Sequence, residues 1–290
     1  MNLARPVAWL GVALVTQASV AAPPRVLVTL PALYSWTANV AGTNATVEAL
    51  MPAESGPHQY QLRPQDLQRF RRANLLIING LGVDEWIAKA ALKELHSPGS
   101  FRVVCLSTGL DSLLIRSDRS ADPNPHIWLD PQLAGLCVSN LVQTLSQFDP
   151  AAAAAYAANG AAYQRTLANL DQEIRDGISG LACTNLVTFH DAFPYFAHRY
   201  GLNLLGVIED QPNVDPSPRH LGEVSRMIRG AHVPVIFTEP QYSSRLVDRI
   251  AADLHVKVAT LDVLETGVPA TTFYVDSMRR NLRVLQENLR

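Results

Sequence analysis

The chain has 290 residues, a formal net charge of -2 and 48% apolar residues, enough to build two lobes of ordinary domain size. Charged residues make up 17%, below the roughly 25% usual for globular domains, and no run of like charges occurs. Nothing in these values suggests a polybasic membrane patch or a nucleic-acid-binding surface, so no nucleic-acid partner is expected.

The first residues read as an export signal. Arg5 supplies a positive start, Val7 to Val15 form a short apolar run, and Ser19-Val20-Ala21 offers small residues for cleavage. The run is shorter than the about 20 apolar residues that a membrane-spanning helix needs. The expectation is a cleaved signal peptide over 1–21 and a mature protein that starts near Ala22 and works in the periplasm. No cysteine follows the cleavage point, so no lipid anchor is expected there.

From Ala22 to residue 148 the chain reads as an N-terminal α/β lobe. The segments "RVLVTLP", "ATVEALMP", "LLIING" and "RVVCLST" are near-continuous apolar runs ended by Pro, Gly or Ser, as in a parallel sheet covered on both faces. Within this lobe, "AESGPHQYQLRPQD" places Gly56 and Pro57 just before His58, which holds the backbone out of helix and sheet and presents an imidazole on a short stiff loop. Asp66 then opens a helical rhythm through Leu67 and Phe70. In "NPHIWLDPQ", His126 stands just ahead of Asp130-Pro131, a capping carboxylate followed by Pro at the first helical position, and Trp128 reads as core packing.

Asp149-Pro150 repeats that start signal, and from Ala151 to Ile178 the sequence is alanine-rich and helical with no strand. Gly160 costs it only about 1 kcal/mol relative to Ala. Such a segment, with little of the Gly, Ser and Pro content of a flexible linker, predicts a rigid helix of about 28 residues and about 42 Å that spans both lobes, within a linking segment 149–180.

The C-terminal lobe, 181–290, repeats the strand style with "LVTFH", "LNLLGVIE", "PVIFTE" and "KVATLD". Ligands of open α/β sheets bind beyond the carboxyl ends of strands. His190, Glu209, Asp210, Glu239 and Asp262 all stand there, and His58 and His126 follow strands of the first lobe. Three imidazoles and a carboxylate suit a tetrahedral divalent ion of zinc type. The histidines and Asp262 are separated by 68, 64 and 72 residues, a spacing that matches no local metal motif but allows one ligand from each of four βα units. Glu239 or a water competes with Asp262 for the fourth position, and Glu239 otherwise supports a ligand from behind. Asp191 reads as a helix cap. The remaining histidines, His96, His198, His220, His232 and His255, read as surface or turn residues. Cys105, Cys137 and Cys183 are too few for a disulfide scaffold, although one pair could close outside the cytoplasm.

The motifs "SGPHQYQLRPQD", "NGLGVDEWI", "NPHIWLDPQLA", "TFHDAFPYFAHRYGL", "QPNVDPSPRHL" and "IFTEPQYSSRLVDRIA" resemble the periplasmic metal-binding proteins of zinc and manganese ABC importers, the cluster A-I or ZnuA/TroA-like family, from roughly residue 25 onwards. The resemblance implies two α/β lobes, one backbone helix between them and a metal in the cleft. Carried over by position, the ligands are His58, His126, His190 and Asp262. Manganese-type relatives have a Glu at the third position, so His190 points to the zinc branch, with manganese the second choice of cargo. The implied partner is a membrane permease, and the protein is expected to be a monomer without enzymatic activity. A zinc hydrolase with an open fourth position and Glu209 or Glu239 as base, or an adhesin on the same fold, are the competing readings. Two departures stand out. The stretch "DSLLIRSDRSADPNP" lacks the His-rich loop of many zinc-type members, and with Cys183 alone in the second lobe no disulfide can form within it.

Overall fold

The computed structural model describes residues 22–95, 101–116, 122–209, 214–241 and 245–290. The expected signal peptide, His96 and Asp210 lie outside the described residues. All eight apolar segments are strands. In the first lobe β1 (Arg25–Val28), β2 (Thr46–Ala49), β3 (Leu75–Ile78) and β4 (Arg102–Cys105) form a parallel sheet in the order β2-β1-β3-β4. In the second, β5 (Asn185–Thr188), β6 (Asn203–Val207), β7 (Val235–Thr238) and β8 (Lys257–Thr260) repeat the same order, β6-β5-β7-β8, again parallel. In each sheet the strand order reverses beside the first strand, and a crevice opens there at the carboxyl ends. The two crevices face one cleft.

Helices α1 (Pro31–Ala41), α2 (Pro64–Arg72) and α3 (Glu85–Leu95) belong to the first lobe, followed by α4 (Pro131–Phe148) and α5 (Ala153–Ile178). The second lobe adds α6 (Pro194–Tyr200), α7 (Pro218–Gly230), α8 (Arg245–Leu254) and α9 (Phe273–Leu289). Asp130 caps α4 as the sequence suggests, its Oδ1 accepting from Gln132 N at 2.8 Å. At the second Asp-Pro pair the helix starts one turn later: Pro150–Ala152 form a 3-10 turn ahead of α5, and Asp149 Oδ2 accepts instead from the Tyr156 hydroxyl at 3.1 Å. Among the described residues no helix is long and apolar enough to cross a membrane.

The 26 residues of α5 pack on α4, α1 and α9, so the last helix of the chain returns to the strut. One continuous core runs from Val28 and Leu76 through Leu141, Leu167 and Leu285 to Leu186 and Phe237 of the second sheet. A separate, smaller core (Val187, Phe189, Ile208, Ile236, Val247) lies under α7 and α8. The three cysteines are free thiols, with Cys105 Sγ 3.1 Å from Ser107 Oγ.

Gly160 shows why propensity alone misleads on α5. A Cβ there would lie 2.2 Å from Val142 Cγ2 on α4, so the glycine is where the two helices close up. Gly160→Ala removes a poor helix former yet is expected to destabilise the protein by about 1–3 kcal/mol, because overpacking outweighs a propensity gain of about 1 kcal/mol. Thermal unfolding of the variant checks the sign.

Candidate metal centre

Four loops meet in the cleft. The Gly56-Pro57 turn after β2 carries His58, and Gly267 N donates to Ala53 O at 2.7 Å, tying this loop to the turn after β8. His126 precedes a 3-10 turn over Ile127–Leu129, and its ring lies 5.0 Å from that of the fully buried Trp128. The Trp128 indole donates to Val263 O across the cleft at 2.8 Å. His190 follows β5 and Glu239 follows β7, the two strands that flank the crevice of the second sheet.

The structure brings His58, His126 and His190 together, as the sequence predicts, but the carboxylate among them is Glu265 and not Asp262. Ligand atoms of His58, His126 and Glu265 lie within 4.8 Å of one another. Glu265 Oε1 is 3.2 Å from His126 Nε2 and 3.6 Å from His58 Nε2, and His190 Nε2 is 3.1 Å from His126 Nε2. Asp262 is committed elsewhere. Its Oδ1 accepts from Leu264 N at 2.8 Å, its main chain is held by the Asn281 side chain, and Oδ2 faces Arg280 at 3.6 Å. This Asx turn, with Leu264 at φ 61°, swings the chain so that Glu265 enters the cleft. Asp262 builds the turn; Glu265 occupies the position expected of it.

The histidine tautomers follow from their neighbours. Asn124 Nδ2 donates to Asp191 O at 2.7 Å and to Asp191 Oδ2 at 3.3 Å, which turns Asn124 Oδ1 toward His126 N at 3.0 Å and Nδ1 at 2.9 Å. In the neutral ring Asn124 Oδ1 accepts from Nδ1, which leaves His126 Nε2 facing Glu265 and His190 as the atom able to bind an ion. Glu239 likewise accepts from His190 Nδ1, while its other oxygen accepts from Gln241 at 2.9 Å. Carboxylates and amides behind metal-binding imidazoles fix the ring in this way. Asp191 thus serves Asn124 rather than capping α6, whose N-cap position is held by Phe193.

Electrostatics separate the groups. Burial works to raise the Glu265 carboxyl, but the imidazoles of His126, His58 and His190 outweigh it and hold the group well below the usual carboxylate range. Burial pushes His126 down. For His190 burial acts the same way, yet the hydrogen bond and charge of Glu239, with Glu265 and Glu209 nearby, win and lift it to about 9. His58 is the rim residue, its side chain 23% exposed, and its buried Nε2 has no hydrogen-bond partner.

These residues fit a metal ion. Two imidazole nitrogens and a carboxylate oxygen lie within 4.8 Å of one another, a buried donor set that suits a divalent cation. In a tetrahedron with about 2.0–2.1 Å metal–nitrogen bonds the donor atoms stand about 3.4 Å apart. The separations of 3.2 and 3.6 Å from Glu265 Oε1 to the His126 and His58 nitrogens bracket that edge. His58, His126 and Glu265 form one mutual group, and His190 adjoins it through His126. Glu239, bound to both His190 and Gln241, is not free to act as a base, and Glu209 Oε1 accepts from Val214 N at 3.1 Å. Two α/β lobes held by a rigid helix around a nitrogen-rich donor set define a metal-capturing binding protein rather than an enzyme.

Comparison with known proteins agrees. The family model described as zinc-uptake complex component A, periplasmic, matches residues 26–288, and the chain belongs to this family. Among curated relatives, the manganese-binding lipoprotein MntA of Halalkalibacterium halodurans is 27% identical over 250 residues, 84% of this chain and 81% of its own. The high-affinity zinc uptake system protein ZnuA of Haemophilus ducreyi is 27% identical over 243 residues, 76% of this chain and 78% of its own. Among solved structures, the solute-binding protein FpvC of P. aeruginosa in complex with Ni2+ superposes with a TM-score of 0.81 at 28% identity, covering 92% of this chain and 96% of that one.

Proposed function

We propose that the protein captures one zinc ion with His58, His126, His190 and Glu265 and delivers it to the permease of an ABC importer. The observation that supports this reading is the meeting of His58, His126 and Glu265 within 4.8 Å of one another, with His190 Nε2 3.1 Å from His126 Nε2 and His58 Nε2 without a hydrogen-bond partner. Three nitrogen donors favour zinc over the harder manganese ion. His58 on the rim is the donor that first meets an incoming ion, and the three buried donors complete the shell. The chain divides as 22–148, 149–180 and 181–290, and acts as a periplasmic monomer after removal of the 1–21 signal peptide.

Metal analysis of the mature chain purified without chelator tests the reading. One zinc per chain is expected, with the ion lost in His58→Ala, His126→Ala and His190→Ala alike. Equal zinc content in His58→Ala and wild type would sink the assignment.

Because α5 packs along its length on helices of both lobes, loading and release proceed through small shifts rather than wide hinge opening. Small-angle scattering curves of metal-free and zinc-loaded protein are expected to coincide. A large change in radius of gyration contradicts the strut.

A further inference from the structure

His126 belongs to the first lobe, but the groups that aim it come from the second. Its ring is held by Asn124, and the Asn124 amide is fixed by Asp191 O at 2.7 Å, on the residue that follows His190. The main chain of Asn124 is held from the same side. The Tyr195 hydroxyl on α6 donates to Asn124 O at 2.8 Å and accepts from Ile115 N at 3.0 Å. Asn124 N in turn donates to Ile115 O at 2.8 Å. One hydroxyl of the second lobe therefore stitches together both arms of the first-lobe loop that leads to the ligand. Asn124 is 9% and Tyr195 2% exposed, so water does not replace these bonds while the lobes are in contact.

We propose that Tyr195 and Asn124 form a latch across the cleft that governs zinc release, an inference that rests on the zinc-capture reading. With the lobes together, Asn124 can present only its oxygen to His126, and the His126 lone pair stays on the ion. When the second lobe draws back, Asp191 O and the Tyr195 hydroxyl leave with it. Asn124 then loses the contacts that fix its amide, and His126 is free to turn away. A displacement of about 1 Å is enough, since a hydrogen bond of ordinary length is lost by about 3.6 Å. The latch thus converts a shift that a rigid strut permits into the loss of a ligand. Tyr195 is a positioning residue that acts through Asn124.

The test is the rate at which the full mature chain, loaded with one zinc, yields the ion to excess chelator in stopped flow. Tyr195→Phe deletes one oxygen and is expected to speed release about 10–100-fold, the range typical of groups behind a ligand. Tyr200→Phe is the control. Its hydroxyl lies on the same helix and donates to Asp171 at 2.9 Å, away from the site. It should release zinc at the wild-type rate. Asn124→Ala should also release fast, and adding Tyr195→Phe to it should accelerate release no further, because the two act in one chain of contacts. Additive effects, or equal acceleration by Tyr200→Phe, overturn the latch while leaving zinc capture intact. A wild-type chain that binds no zinc overturns the capture reading instead.

Discussion

Glu265→Gln is expected to weaken zinc binding by at least about a hundredfold, more than the roughly 10–100-fold that follows loss of a group behind a ligand. Asp262→Asn should leave affinity close to wild type. Glu265 is 2% exposed and supplies the carboxylate oxygen grouped with the His58 and His126 nitrogens. The glutamine keeps the shape but loses the charge that balances a divalent ion in a buried cleft. Asp262 spends Oδ1 on Leu264 N, and asparagine retains an oxygen that can accept there. Competition titration against a chromophoric chelator separates the two. A greater loss in Asp262→Asn than in Glu265→Gln would return the fourth position to Asp262.

The distance between those two carboxylates shows where sequence reasoning stops. Strands were legible because parallel, doubly covered strands must be apolar throughout, and runs such as "LLIING" or "PVIFTE" admit little else. The strut was legible because 26 residues without Pro, ended beyond Ile178, leave no alternative to helix. His190 was legible because β5 ends two residues before it, and His58 because Gly56-Pro57 stiffen the loop that carries it. Glu265 was not, since it stands five residues past Thr260, and only the left-handed turn at Leu264 brings it back to the cleft. One signal was available: an Asp opening a turn tends to bond the backbone two residues on, which removes it as a ligand and promotes the next carboxylate. Asn124 carried no such signal. Its role depends on Asp191 and Tyr195, which lie 67 and 71 residues away in sequence.

The remaining large effect is on protons. In the metal-free cleft His190 keeps its charge up to about pH 9, against the opposing effect of burial, because Glu239 holds Nδ1 and the surrounding carboxylates favour the cation. His126 is driven neutral by burial, so the pair shares one proton, borne on His190 Nε2 and directed at His126 Nε2 3.1 Å away. Zinc must take that position and expel the proton. The sign follows directly. Above about pH 9 the ion meets a neutral His190, whereas below it every binding event displaces a proton. Apparent affinity should therefore fall as pH drops, already through the neutral range, by up to about tenfold per pH unit for each proton displaced. Calorimetry at pH 7.5 in buffers of different ionisation enthalpy should count one proton released from this site. In His190→Glu the replacing carboxyl, ordinarily near about 4.3, brings no proton to displace at neutral pH. That variant should bind zinc more weakly, lose the neutral-range slope and narrow the preference for zinc over manganese, since oxygen donors suit the harder ion. Were proton release and metal preference both unchanged in His190→Glu, His190 would not be a ligand, and the pair of imidazoles at 3.1 Å would be a hydrogen bond and nothing more.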